Sequence, residues 1–324
     1  MHIVKKKRCF REFNNLKDQK YQYVFKNFVV YLRTIKKKES MTCCNSRRKP
    51  EWLKIKLPKG QSSTEVLNIV RKHNLHTICT SGMCPNQGEC WGNRTATFMI
   101  GGDVCTRSCK FCNVKTGRPA PLDPAEPENI ANSVKLLGLK HAVITSVDRD
   151  DLADLGAAHW VKVIEAVKRE NPQTTMEVLI PDFQGRQELV QQVIDARPEV
   201  ISHNLETVRE LSDGVRSRAK YDISLQVIRQ VSESGIVSKS GIMLGLGETR
   251  EQILQTMDDL LAVGCKVMTI GQYLQPSEAN LEVKEYVTPD TFKEYERIGL
   301  EKGFRYVESG PLVRSSYHAE KHVR

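Results

Sequence analysis

No stretch of this 324-residue chain approaches the roughly 20 consecutive apolar residues that a membrane-spanning helix needs. The most apolar part of the N-terminal segment, YQYVFKNFVVYL at 21–32, is too short, is broken by Lys26 and lacks a signal-peptide cleavage site. There is no internal repeat, and the eight histidines form no metal-ligand pattern. The glycines of GLGE at 245–248 match neither a P-loop nor G-x-G-x-x-G, which argues against a phosphate cradle and for a tight turn. A basic surplus is also missing from most of the chain. Residues 1–50 carry ten Lys and five Arg against three acidic residues, a surplus of +12, which leaves −2 for the rest of a chain whose net charge is +10. A nucleic-acid partner would need a basic stripe on the folded body, and the body has none to spare.

The first 40 residues differ from the remainder. They are rich in Lys, Phe, Tyr and Asn and show no lasting periodicity, which reads as a solvated, disordered tail. Met41 opens a new register and reads as a start, with residues 1–40 an upstream extension. A transit peptide is the competing reading, but the segment favours Lys over Arg and lacks Ser before Ser40.

From residue 96 onward, strand and helix patterns alternate. Apolar β-rich runs occupy 96–100, 141–145, 175–180, 199–202, 240–246 and 266–271. Helical spacing fills 126–138, 157–170, 186–196, 221–234 and 249–263, with Pro127 near one start and Gly235 and Gly264 at C-terminal cap positions. Six β/α units imply a parallel sheet, either doubly wound or a barrel. Periodicity does not choose between these two.

Cysteine is what the chain does have. Six of its ten cysteines fall within 79–112 in two triplets, a clustering that points to metal in a reducing compartment rather than to disulfides. Cys105, Cys109 and Cys112 have the spacing C-x3-C-x2-C, with Phe111 before the third, on a loop directly after the first strand. In barrels that rim carries the active site. Three thiolates can hold a [4Fe–4S] cluster with one iron left open for a chelating cosubstrate. A structural zinc site is the alternative, though it ordinarily takes four ligands in paired C-x2-4-C units. The second triplet, Cys79, Cys84 and Cys90, forms C-x4-C-x5-C in a stretch rich in Gly, Pro, Ser and Asn that reads as a loop around an inorganic core, zinc or cluster.

The C-x3-C-x2-C loop resembles that of the radical S-adenosylmethionine superfamily, whose fold is a partial or full β/α barrel. The order of the two triplets followed by Arg314-Ser315-Ser316-Tyr317 is similar to the lipoyl synthase family. So are RRKPEWLKIKLP (47–58), TSVDRDDLADLGA (145–157), SHNLETV (202–208), GIMLGLGET (241–249) and GQYLQPS (271–277). The resemblance runs over residues 47–320 with no departure at the motif positions. It implies an α/β fold, a partial (β/α)6 TIM-like barrel with extensions carrying an auxiliary cluster. The matching organisation is a basic extension at 1–46, a segment with the auxiliary-cluster cysteines at 47–95, the barrel at 96–285 and a C-terminal segment at 286–324.

The resemblance also implies two [4Fe–4S] clusters. Cys105, Cys109 and Cys112 would hold the one that cleaves S-adenosylmethionine to a 5′-deoxyadenosyl radical. Cys79, Cys84, Cys90 and one of the two serines, Ser316 by preference, would hold an auxiliary cluster that is consumed as the sulfur source. Sulfur would enter at carbons 6 and 8 of an octanoyl group on a lysine of a lipoyl carrier domain, in a 2-oxoacid dehydrogenase E2 or the glycine-cleavage H protein. The reductant would be a ferredoxin or flavodoxin, and the setting the cytoplasm, or an organellar matrix if residues 1–40 are a transit peptide. A serine oxygen is a harder ligand than a thiolate and is displaced more easily.

Asn204 and Glu206, after the fourth barrel strand, resemble positions that contact S-adenosylmethionine, and Arg216 is a candidate for its carboxylate. Taken without the family, these residues and Ser146, Asp148 and Arg149 read as solvated loop. Cys9, Cys43 and Cys44 match no cluster spacing, and Cys265 reads as a small core residue. Two rival functions remain. Another sulfur-inserting radical enzyme would lack the Arg-Ser-Ser-Tyr element, and a non-catalytic electron carrier would have no use for six β/α units.

Overall fold

In the computed structural model, residues 49–54, 61–93 and 95–323 are described. The basic extension, the start read at Met41, and Cys9, Cys43 and Cys44 lie outside them. The chain divides at Pro50–Glu51, and every helix and strand named here belongs to the unit Glu51–Arg324. Among the described residues no helix is long and apolar enough to cross a membrane.

Helices α1 (Gln61–Lys72), α2 (Ile78–Ser81) and α3 (Gln87–Gly92) come first, with strand β1 (His76–Thr77) between α1 and α2. Strand β2 (Thr97–Ile100) leads into a small separate ladder of β3 (Val104–Cys105) and β4 (Lys115–Thr116). The chain then alternates through α4 (Glu126–Leu137), β5 (His141–Ser146), α5 (Ala157–Glu170), β6 (Thr175–Leu179), α6 (Gln187–Asp195) and β7 (Val200–Ser202). It continues through α7 (Arg209–Val215), α8 (Tyr221–Glu233), β8 (Val237–Leu244), α9 (Arg250–Ala262), β9 (Val267–Gln272), α10 (Pro289–Lys302) and β10 (Tyr306–Gly310).

The main sheet has the order β1-β2-β5-β6-β7-β8-β9-β10. All pairs are parallel except β1 with β2. β1 and β10 are not paired to each other, so the barrel is partial. The six expected strands are all present. A seventh parallel strand, β10, has no counterpart among the apolar runs because only Val307 of YVESG is buried. β8 starts at Val237, earlier than its apolar run, for a reason found inside the barrel. Lys239 points inward there, and its Nζ donates to the Glu177 carboxylate at 2.8 and 2.9 Å.

The helices form where their apolar residues fall on one face. In α5, Trp160, Val163, Ile164 and Val167 recur at helical spacing and are buried, each worth about 1.5–3 kcal/mol of transfer free energy. Thr249 and Gln252 close a capping box on α9, and Gly138 takes the left-handed conformation that ends α4. Gly235 and Gly264 follow α8 and α9 at φ +81° and +80°, as expected. On the helix-facing side of the sheet, Phe98, Ile144 and Val178 join one apolar cluster, and Ile242, Met268 and Ile270 join another. The alternate positions, Thr145, Glu177, Lys239, Gly241, Thr269 and Gly271, face away from both. The barrel interior therefore carries polar and small residues among apolar ones such as Val143, Val200 and Val267. Cys265 packs in the second cluster. The GLGE turn is closed by the Glu248 carboxylate, which accepts from the backbone of Gly245 and Leu246 at 2.5 and 2.9 Å.

Candidate functional site

The first shared feature of the candidate residues is position. Cys105 follows β2, Asp148 follows β5, Asp182 follows β6, Asn204 and Glu206 follow β7, and Tyr273 follows β9. All lie at the C-terminal rim of the parallel strands, where barrel sites assemble.

The loop of Cys105, Cys109 and Cys112 is fixed by backbone bonds. Gly101, at φ +82°, donates its N–H to the buried carboxylate of Glu126 at 2.9 Å, while its carbonyl accepts from Arg149 at 3.0 Å. Lys110 N–H bonds the carbonyl of Val215, and the Asn280 amide donates to the carbonyls of Lys110 and Cys112 at 3.2 and 3.0 Å. Cys105 Sγ accepts from the N–H groups of Arg107 and Asp148 at 3.4 and 3.3 Å, and Cys112 Sγ accepts from Val114 N–H at 3.5 Å. Cys109 Sγ lies 3.6 Å from Ser217 Oγ. Backbone donors aimed at sulfur favour thiolates and tune a cluster bound by them. Burial, with Asp148 beside it, pushes the Cys105 thiol up to about 12; burial, with Cys109 beside it, pushes Cys112 to about 11. Thiols raised in this way ionise more readily beside a strong local cation such as a bound metal.

Arg107, inside the same loop, was missed by the sequence reading. Its guanidinium is buried and donates to Asp150 at 2.8 and 2.9 Å and to Asp182 at 2.8 Å, with Asp148 at 3.3 Å. The run VDRDD at 147–151 was the available signal. The solvated reading of this loop is corrected for Arg149, whose side chain is buried between Gly101 and Asp151.

Phe111 packs with Val215, Leu246 and Tyr273. Glu206 sits at φ +67°, a left-handed conformation stabilised by a bridge to Ile242 and backbone bonds to Gly241 and Met243. Burial pushes its carboxyl up, opposed by Arg216 and Asn204. Arg216 is buried, not solvated, and feels Glu206, Asp182 and Cys109. The Asn204 Oδ1 atom is buried with no partner, an orphaned acceptor next to Glu206. A half-buried acid near Cys112, a buried arginine near Cys109 and the spare acceptor of Asn204 are a set of groups that fits the amino, carboxylate and hydroxyl groups of S-adenosylmethionine.

Of the second triplet, Cys79 sits on α2 and Cys90 on α3, with Cys84 in the turn between them, rather than all three in a continuous loop. Cys84 N–H closes onto Cys79 O at 3.0 Å and Cys90 N–H onto Asn86 O at 2.9 Å, so the polar stretch folds into two short turns. Met83 between them takes φ +50°. Burial raises all three thiols, and Cys90 reaches about 12 with Cys79 and Cys84 adding to the effect. The Asn113 amide donates to Ser81 O at 2.9 Å and ties the two cysteine loops together.

The C-terminal segment meets this triplet. The Asn86 amide donates to Leu312 O at 2.7 Å. Burial lowers the Arg314 guanidinium, and Cys84 opposes that shift. Tyr317 is raised by burial and by Glu89 and Cys90. Ser315 and Ser316 are half-buried between these two anchors. Among the described residues no three His, Cys, Asp or Glu side chains converge closely enough for a single metal ion. A cluster spreads its sulfur ligands more widely than a single ion does.

Residues 99–260 match the Radical SAM superfamily. A lipoyl synthase of Treponema denticola is 69% identical over 283 residues, covering 87% of this chain and 97% of its own. One from Phocaeicola vulgatus is 65% identical over 280 residues, covering 86% and 99%. Methylornithine synthase is a structural neighbour at TM-score 0.53 and 15% identity, covering 77% of this chain and 75% of its own. A Streptococcus suis protein, SuiB, crystallised with S-adenosylmethionine, gives TM-score 0.53 at 13% identity, covering 77% and 56%. At such identities these two bear on the fold alone.

Proposed function

The chain belongs to the lipoyl synthase family of radical S-adenosylmethionine enzymes, and from that footing we propose how its residues divide the work. Cys105, Cys109 and Cys112 hold a [4Fe–4S] cluster that receives S-adenosylmethionine. Cys79, Cys84, Cys90 and Ser316 hold an auxiliary [4Fe–4S] cluster. Together these groups supply the one-electron chemistry and the sulfur that insert two sulfur atoms at carbons 6 and 8 of a protein-bound octanoyl-lysine. An acid, base or nucleophile has no purchase on such C–H bonds.

The protein positions and shields that chemistry. Arg216 receives the cosubstrate's carboxylate, Glu206 and Asn204 accept from its amino or hydroxyl groups, and Phe111 packs against its apolar face. Arg107 anchors the cysteine loop to β5 and β6 through Asp150 and Asp182. Arg314 and Tyr317 hold the serine pair over the auxiliary site, as hydrogen-bonded neighbours hold metal ligands elsewhere.

Lipoyl carrier proteins are the substrates, namely 2-oxoacid dehydrogenase E2 domains and the glycine-cleavage H protein, with a ferredoxin or flavodoxin as reductant. The setting is the cytoplasm. The working division of the chain is 47–95 and 286–324 for the auxiliary site and 96–285 for the barrel, with 1–46 an accessory extension.

The observation that supports this reading most is the 2.7 Å bond from the Asn86 amide to the Leu312 carbonyl, which docks the C-terminal segment beside the triplet, with Arg314 in electrostatic reach of Cys84 and Tyr317 of Cys90. The test is iron content after anaerobic reconstitution. Replacing Cys79, Cys84 and Cys90 together by Ala should halve the bound iron; an unchanged iron content contradicts the two-cluster reading.

A further inference from the structure

His203 lies inside the site but has no place in the division of work above. It follows β7, is buried, and makes two side-chain bonds. Nδ1 is 2.9 Å from the carbonyl oxygen of Ile180, and Nε2 is 2.9 Å from Ser224 Oγ. Ser224, on α8 and fully buried, also accepts from Arg216 Nη1 at 2.8 Å.

The polarity of this chain is forced. A carbonyl can only accept, so Nδ1 carries the proton and donates to Ile180. An arginine can only donate, so Ser224 Oγ accepts from Arg216 and sends its own hydrogen to Nε2. Burial, and then Arg216, hold the His203 imidazolium pKa down at about 4, so the ring stays neutral at working pH and Nε2 remains an acceptor. Four elements are joined with donation running one way, from Arg216 at the end of α7 through Ser224 on α8 and His203 after β7 to Ile180 after β6.

The consequence falls on Arg216. Its guanidinium is buried among the charges of Glu206, Asp182 and Cys109, with the Arg107 cation opposing them. Left free, it would turn onto either acid and neutralise it. The bond to Ser224 spends Nη1 in a fixed direction and so sets the plane of the whole group. A planar fork held this way is prepared for a carboxylate.

We propose that His203 and Ser224 are positioning residues for S-adenosylmethionine, aligning the Arg216 guanidinium to meet the cosubstrate's carboxylate. This rests on the reading of Arg216 given above. The bland alternative is a core histidine whose bonds are satisfied and whose only role is stability.

The experiment measures equilibrium binding of S-adenosylmethionine to the anaerobically reconstituted full chain, followed by the change it causes in the spectrum of the reduced cluster. Iron content and thermal unfolding are recorded alongside. Arg216→Ala is the control for the underlying reading. His203→Leu and Ser224→Ala break the chain, while His203→Gln keeps one N–H and one C=O for the same two partners. The expected result is roughly 10-fold weaker binding in Arg216→Ala, His203→Leu and Ser224→Ala, and restoration to within about twofold in His203→Gln. Unchanged binding in Arg216→Ala overturns the underlying assignment and the proposal with it. Weak binding in Arg216→Ala beside full binding in Ser224→Ala overturns the positioning role alone. If His203→Leu does not fold, Ser224→Ala and His203→Gln decide; equal losses of affinity and stability in His203→Gln mark a purely structural residue and also overturn it.

Discussion

The side-chain amide of Asn86 donates a 2.7 Å hydrogen bond to the carbonyl oxygen of Leu312, 226 residues further along the chain. One end lies between Cys84 and Cys90, the other two residues before Arg314. The bond docks the C-terminal segment onto the cysteines it is proposed to complete. In Asn86→Ala the Leu312 carbonyl loses its donor, a cost on the order of 1 kcal/mol. Iron bound by the Cys79 triplet should fall and sulfur insertion with it, while cleavage of S-adenosylmethionine persists. A full iron complement in Asn86→Ala contradicts the tether.

The two triplets should fail differently. Ala at Cys105, Cys109 or Cys112 removes the site that cleaves the sulfonium, so no 5′-deoxyadenosine should form. Ala at Cys79, Cys84 or Cys90 should leave some 5′-deoxyadenosine but no thiolated product. Chromatography of both products in the six variants checks this. Lipoylation by a variant without the auxiliary triplet would end the sacrificial-sulfur account.

Ser315 and Ser316 share the gap between Arg314 and Tyr317. Ser316→Ala should still cleave S-adenosylmethionine yet lose sulfur insertion, whereas Ser315→Ala should keep both. Ser316→Cys should bind the cluster and release its iron too slowly to donate sulfide. The reverse pattern in the Ala pair moves the ligand to Ser315, and full activity in both removes the serine ligand.

Arg107 is the counter-ion of a buried acidic cage, so Arg107→Leu should destabilise the folded chain by about 3–5 kcal/mol through uncompensated carboxylates. Thermal unfolding reads this directly. The pH dependence has a sign. Burial pushes the Asp150 and Asp182 carboxyls up, but the bonds from Arg107 outweigh it and both end below the ordinary value. Their contribution is therefore fully present above about pH 3.9 and is lost as pH falls below it. Asp148 is shifted the other way, upward by burial against the pull of Arg107, and its contribution is lost as pH rises. The acid-induced loss of stability below pH ~4 should be smaller in Arg107→Leu than in the parent chain, because the depressed pair is gone.

Much of this was legible in the sequence because the chemistry is local. Three cysteines within eight residues after a strand announce themselves, and α5 could be read from Trp160, Val163, Ile164 and Val167 alone. What stayed hidden depends on partners far apart in sequence. Lys239 looks like a break in an apolar strand until Glu177 stands opposite it inside the barrel. Arg149 and Arg216 look like solvated loop residues until the rim encloses them. β10 carries too little apolar surface to register, since it is an edge strand with one buried side chain. The short helices α2 and α3 arise from turns that a composition of Gly, Pro, Ser and Asn disguises.

The central claim is sulfur insertion into a carrier-bound octanoyl chain, and mass spectrometry of a single reaction tests it most directly. The chain is reconstituted anaerobically with iron and sulfide, then incubated with S-adenosylmethionine, a low-potential reductant and an octanoyl-lysyl peptide. The expected product is the peptide heavier by two sulfur atoms as the dithiol, losing two hydrogens only on later oxidation to the disulfide in air, formed with 5′-deoxyadenosine. 5′-Deoxyadenosine accumulating beside an unmodified peptide, with both clusters intact, would contradict the account.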